Sequence, residues 1–178
     1  IAIRCKEWDE VEKYLSVLEQ IASSEDFHHR KASYLAARNR VEEALVEAEI
    51  ACNNESPRFE TLARKADLLI ECNHTERAKL AIDELVPRSR MKRDVKIGLQ
   101  CKFLLRQDNW REAEILWMKL SRPDIPVPVH QALKKEILNQ ELADPMTSPV
   151  KREEIQAELA VIGEPFQLLL VETGDGED

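Results

Sequence analysis

Val11, Ala44, Ala78 and Ala113 recur along the chain at steps of 33, 34 and 35 residues. Each sits near the start of an amphipathic segment that a polar turn opens. A step of this length is that of a repeated pair of helices. A lone helix pair cannot bury its apolar face, so neighbouring pairs must stack to cover it. The period therefore constrains the fold before any other feature does. It also moves the search for function from a catalytic pocket to an extended binding surface.

Each repeat reads as helix A, a tight turn, helix B and a linker. The apolar spacing predicts helices over Phe27–Arg38 and Val41–Cys52, over Arg58–Cys72 and Thr75–Leu85, and over Arg93–Arg106 and Trp110–Leu120. Within each, apolar residues fall three and four apart, as a helix burying one face requires. Asn39 precedes Glu42 by three residues, Asn73 precedes Glu76, and Asn109 precedes Glu112. These triplets predict a capping box at the start of each helix B, with the Asn accepting from free backbone N–H groups and the Glu facing the positive helix end. Pro57, Pro87 and Pro123 close the repeats, since proline cannot continue a helix but can begin one.

Within helix A a small residue precedes a larger one by three, Ala32 before Leu35, Ala66 before Leu69 and Cys101 before Leu104; early in helix B an alanine is followed four residues on by Ala48 (after Ala44), Ile82 (after Ala78) and Trp117 (after Ala113). This pattern resembles the tetratricopeptide repeat over about residues 8–122. The resemblance implies a right-handed superhelix of αα-hairpins, with the small residues where helices A and B come closest. The repeats are divergent. Where the family usually has an aromatic residue in helix A, this chain has His28, Leu62 and Ile97; where it usually has Leu, the chain has Lys31, Lys65 and Gln100. Another αα-solenoid is the alternative. The Lys–Asn pair with which some members grip a chaperone tail is absent: the corresponding places hold His29 and Ser33, Ala63 and Asp67, and Gly98 and Lys102.

The expected class is thus an all-α, αα-hairpin repeat solenoid with a C-terminal helical cap. Residues 1–122 hold a partial first repeat and three full ones. Trp8–Ser23 has helix B character, so its helix A is expected either upstream in a longer parent chain or as a short, irregular helix ending in residues 1–6. Residues 123–163 read as a degenerate repeat or capping pair, with helices over Val129–Leu142 and from Pro149 to Ile162. Residues 164–178 form an acidic tail carrying the apolar stretch Phe166–Val171, which either docks in the groove or starts a further domain.

A charged fraction of 34% and an aromatic fraction of 5% fit a helix-rich fold and argue against an all-β one. No span approaches the ~20 apolar residues of a membrane helix. Four cysteines, Cys5, Cys52, Cys72 and Cys101, lie far apart without a CxxC, as expected for reduced thiols in the cytoplasm. Cys72 and His74 fit no familiar zinc spacing. No glycine-rich phosphate loop or nucleophile–base set is present, so neither catalysis nor a cofactor or metal is expected.

The net charge of −8 is unevenly spread. Arg88, Arg90, Lys92, Arg93, Lys96, Lys102 and Arg106 face Asp94 alone between residues 88 and 106, while the last 28 residues are strongly acidic. The basic stretch is the candidate partner site. The expected function is a protein-interaction scaffold that holds a protein or peptide segment, acidic segments included. Nucleic-acid binding through the basic stretch, a regulatory segment of a larger enzyme, and self-association of basic patch with acidic tail are the alternatives.

Overall fold

The computed structural model describes residues 8–120 and 128–162. Among these the chain is all-α, with nine helices: α1 (Trp8–Ile21), α2 (Ser24–Ala37), α3 (Val41–Ala51), α4 (Phe59–Glu71), α5 (Thr75–Glu84), α6 (Arg90–Arg106), α7 (Trp110–Trp117), α8 (Pro128–Ala143) and α9 (Pro149–Val161). No helix among the described residues is long and apolar enough to cross a membrane. The expectations for residues 1–6, for Pro123 and for Phe166–Val171 with the acidic tail lie outside the described residues.

The chain divides into two compact units, Ile1–Leu99 and Gln100–Asp178, so the division falls within α6. In the first unit packing is sequential: α1 on α2, α2 on α3, α3 on α4, and α4 on α5, with α2 also reaching α4. Helix α4 is the most enclosed. Leu68, Leu69 and Ile70 are at most 2% exposed, and Thr61, Ala63 and Ala66 are buried with them. The charged pair Arg64 and Asp67, 3.6 Å apart, is buried on the same helix. In the second unit α7 packs on α8 and α8 on α9. Ile137, Leu138 and Ile155 form its centre. Trp117 Nε1 donates to the His130 carbonyl (3.1 Å), and Arg111 pairs with Asp144 (2.7 Å).

The four residues of the repeating step are all enclosed: Val11 is 3% exposed, and Ala44, Ala78 and Ala113 are 0%. Their helix A counterparts Ala32, Ala66 and Cys101 are also 0% exposed. Twelve residues separate the two small positions each time. The Cys101 Sγ lies 3.5 Å from the Ala113 carbonyl oxygen, so backbone and side chain meet there without space for a larger group.

The turns between these pairs are alike, but they work differently from the capping box read in the sequence. Asn39, Asn73 and Asp108 adopt left-handed φ values of 60°, 58° and 55°. The N–H of each bonds back three residues, to Ala36, Ile70 and Leu105, while the next N–H, of Arg40, His74 or Asn109, reaches back five, to Leu35, Leu69 or Leu104. This is a Schellman closure, which satisfies the last carbonyls of helix A. Asn39 and Asn73 therefore end a helix instead of starting one. Only Asn109 accepts from the third residue onward, Glu112 N at 3.4 Å. In the third turn Asp108 takes the left-handed place, which frees Asn109 to cap.

Asn and Asp tolerate this conformation because their short polar side chains bond locally. Replacing Asn39 by Val should cost about 1–2 kcal/mol, the usual penalty for a left-handed residue with a bulky Cβ. Asn39→Gly should be close to neutral. Urea midpoints of the two variants check this pair.

Helix limits shift where a cap was overlooked. Helix α2 starts at Ser24, ahead of the expected Phe27, because the Ser23 hydroxyl oxygen accepts from Asp26 N (3.2 Å). Helix α6 starts at Arg90 because Ser89 Oγ accepts from Lys92 N (3.2 Å). Helix α7 ends at Trp117, and Lys119 and Leu120 continue only as tight turns bonded three residues back. Ser148 and Pro149 open α9 as expected, with Ser148 Oγ accepting from Lys151 N (3.2 Å).

Candidate functional site

The seven basic residues of the 88–106 stretch do not act alike. Lys96 Nζ donates to the carbonyls of Leu85 (2.7 Å) and Asp83 (3.3 Å). It thereby caps the C-terminal end of α5, where a cation also meets the negative end of the helix. Lys92, one turn earlier, pairs with Glu60 of α4 (2.9 Å) and lies over the Phe59 ring, 5.4 Å from its centroid. Burial raises the Glu60 carboxyl, but the hydrogen bond from Lys92 helps bring it below its ordinary value. These two lysines fasten α6 to the helices before it. Arg88, Arg90, Arg93 and Arg106 are exposed, and Lys102 is half-buried. Gly98, in the middle of α6, is half-buried beside buried Leu99.

A recess that the sequence did not reveal lies between α1, α2 and α3. It is an open groove of about 510 Å³ with Leu15, Phe27, Tyr34, Leu35 and Val46 among its lining. Its rim carries Glu19, Lys31, Arg40, Glu43 and Glu47. Its two hydroxyls are engaged: Ser16 donates to the Lys13 carbonyl (2.7 Å), and Tyr34 donates to Glu12. The groove therefore suits an apolar side chain between charged flanks better than a reaction. Val46 is 56% exposed and sits at its mouth.

At the rim, Glu47 of α3 joins α2. Its carboxylate meets Lys31 Nζ at 2.7 Å and His28 Nδ1 at 2.6 Å. Burial pushes the Glu47 carboxyl up, but the Lys31 and His28 contacts more than offset this and leave it below its usual value. Glu25 plays a similar part in the first turn of α2. It accepts from Arg58 N (2.9 Å), from the buried Thr61 hydroxyl (2.7 Å) and from Asn54 Nδ2 (3.2 Å). Burial raises the Glu25 carboxyl too, and the Arg58 and Thr61 hydrogen bonds outweigh it. Asp26 is lowered first by its hydrogen bond from Ser23, and Arg58 adds to this.

These lowered carboxyls fix the sign of the pH dependence. Each contributes stability fully above its unfolded value, about 3.9 for Asp and 4.3 for Glu, and loses it as pH falls through the lower folded value. The urea midpoint should therefore hold steady from neutrality to about pH 5 and fall below about pH 4. Glu25→Ala should cost about 1–3 kcal/mol at neutral pH, because it leaves the Thr61 hydroxyl buried without its acceptor. The same variant should show a shallower acid loss than the parent in a pH series of urea melts.

The described cysteines are free thiols. Burial pushes Cys52 up to about 11 and Cys101 to about 12. Burial, then the neighbouring Glu42 carboxylate, push Cys72 up to about 11. Glu42, Cys72 and His74 nevertheless bring donor atoms within 4.8 Å of one another. The sequence separates Glu42 from the other two by 30 residues or more, which is why the pair Cys72 and His74 read as incomplete on its own.

No family model matches the chain, and neither a curated protein nor a solved structure matches it.

Proposed function

We propose that this chain is a divergent tetratricopeptide-like solenoid that binds a protein or peptide segment in its groove and does not transform it. One observation carries the reading. The helix–turn–helix unit recurs three times with a left-handed Asn or Asp at the equivalent place of the turn and a fully enclosed small residue on either side, at Ala32 and Ala44, Ala66 and Ala78, and Cys101 and Ala113. A repeated unit of this kind presents a repeated outer surface, and such surfaces serve extended ligands.

Two features of the first unit give that surface its chemistry. The groove between α1, α2 and α3 accepts an apolar anchor, as buried anchors dominate protein interfaces. Arg88 and Arg93 offer an exposed cationic flank, suited to carboxylates on an acidic segment. Lys96 and Lys92 are less suited to partner contact, because each already holds the chain together. Single-stranded nucleic acid is less favoured, since stacking platforms of exposed aromatic rings normally accompany such basic tracts.

The test uses Val46→Asp and the double reversal Arg88→Glu with Arg93→Glu, neither of which touches the core. Each should weaken recovery of co-purifying proteins by about tenfold or more, equivalent to ~1.4 kcal/mol. Retention of the same partners by both variants would remove the assignment. RNA or DNA recovered in place of protein, with steep salt dependence, would replace it by a nucleic-acid reading.

A further inference from the structure

We propose that Glu42, Cys72 and His74 form a binding site for a borderline-soft divalent cation of the zinc class. The three residues come from two places in the fold. Glu42 lies in the first turn of α3, while Cys72 is the cap residue just after α4 and His74 the one just before α5. The left-handed Asn73 between the latter two, at φ 58°, reverses the chain sharply. That reversal brings a thiol and an imidazole, separated by one residue, to the same carboxylate.

Comparison with the preceding turn shows what is peculiar here. Thirty-four residues earlier, the places of Cys72 and His74 are held by Arg38 and Arg40. Both of those arginines meet acids: Arg38 pairs with Glu12 (3.0 Å), and Arg40 Nε donates to Glu43 (2.7 Å). The same turn geometry, Schellman closure included, thus sets two fixed cations against carboxylates in one place. In the next it sets two metal-ligating side chains against a carboxylate.

Sulfur, nitrogen and oxygen from these three residues make the mixed donor set that zinc accepts. Tetrahedral zinc, with bonds of about 2.0–2.3 Å, needs donors about 3.3–3.8 Å apart. The present donors lie within 4.8 Å of one another, so small side-chain rotations close the gap, and exposed Glu42 is the most adjustable. Coordination replaces the thiol proton, which leaves to solvent, by the metal. Three protein ligands leave a fourth position for water or for a donor from a bound partner. Loaded in this way, the site would tie the start of α3 to the turn between α4 and α5.

The probe is Co²⁺ added to the reduced full chain, followed by Zn²⁺. Stoichiometric appearance of a thiolate-to-cobalt charge-transfer band, and its loss on adding Zn²⁺, is expected. Cys72→Ser should abolish the band, while Cys5→Ser, Cys52→Ser and Cys101→Ser keep it. His74→Ala and Glu42→Gln should weaken cobalt binding by more than the ~10–100-fold that loss of an outer-shell partner costs. Helical circular dichroism of each variant separates loss of the site from loss of the fold. If Cys72→Ser does not fold, His74→Ala and Glu42→Gln carry the test. No band with the wild-type chain, a band that survives in Cys72→Ser, or unchanged affinity in folded His74→Ala overturns the site.

Discussion

Truncating Leu68 to alanine should lower the stability of the chain by about 2–5 kcal/mol. Leu68 is 0% exposed on α4, the helix that packs against α2, α3 and α5 at once. Its loss removes the transfer free energy of the deleted carbons and leaves a cavity that three neighbouring helices must collapse to fill. A penalty of that size is a large part of the ~5–15 kcal/mol that typically separates folded from unfolded domains. The matched control is Leu80→Ala on α5, where the side chain is 63% exposed and the change should stay within about 0.5 kcal/mol. Urea melts followed by helical circular dichroism compare the two. Equal midpoints would mean that α4 is not the centre of its unit.

Enlarging a small residue attacks the fold from the opposite side. Ala78→Leu should cost up to about 3 kcal/mol, because an overpacked contact forces side chains off their rotamers and shifts the backbone. Ala78 is 0% exposed, whereas its neighbour Lys79 is exposed, so Lys79→Leu is the control with the same new side chain. Ala44→Leu should behave as Ala78→Leu does, since the two alanines stand at equivalent places five residues after a left-handed turn. The measurement is again the urea midpoint. If both alanines accept Leu without loss, the small residues do not mark the closest approach of the helices.

Much of the helical framework could be read from the chain because its signals are local. The step from Val11 to Ala113 marked four positions that prove to be enclosed, and helices α3, α5 and α9 begin at their expected residues. What the sequence obscured was the choice between neighbouring roles. Asn is favoured both as the first cap of a helix and as the left-handed residue that ends one. In these turns the two roles occupy adjacent residues, so Asn39 and Asn73 could be read either way. Only the Asp108-Asn109 pair, which fills both places, displays the arrangement openly.

The candidate sites were less legible, for a different reason. Charge counted along the chain placed Lys92 and Lys96 with Arg88 and Arg93. It could not show that Lys96 turns back to the end of α5, or that Lys92 meets Glu60 some thirty residues earlier. The groove at Leu15, Phe27 and Val46 and the cluster at Glu42, Cys72 and His74 both join separate helices. Neither leaves a short motif, because each is made by the packing of separate helices and not by one stretch of sequence.

The twelve residues from Ala32 to Ala44, from Ala66 to Ala78 and from Cys101 to Ala113 never vary, whereas the steps of 33, 34 and 35 do. All of the variation falls between pairs: 21 residues from Val11 to Ala32, 22 from Ala44 to Ala66 and 23 from Ala78 to Cys101. A residue added inside a pair would rotate one helix by about 100° against its mate, since a turn holds 3.6 residues, and would swing its small residue out of the contact. A residue added beside Val86 or Pro87 meets no such clock. A one-residue insertion is therefore expected to be tolerated in a linker and to disrupt the fold inside a hairpin.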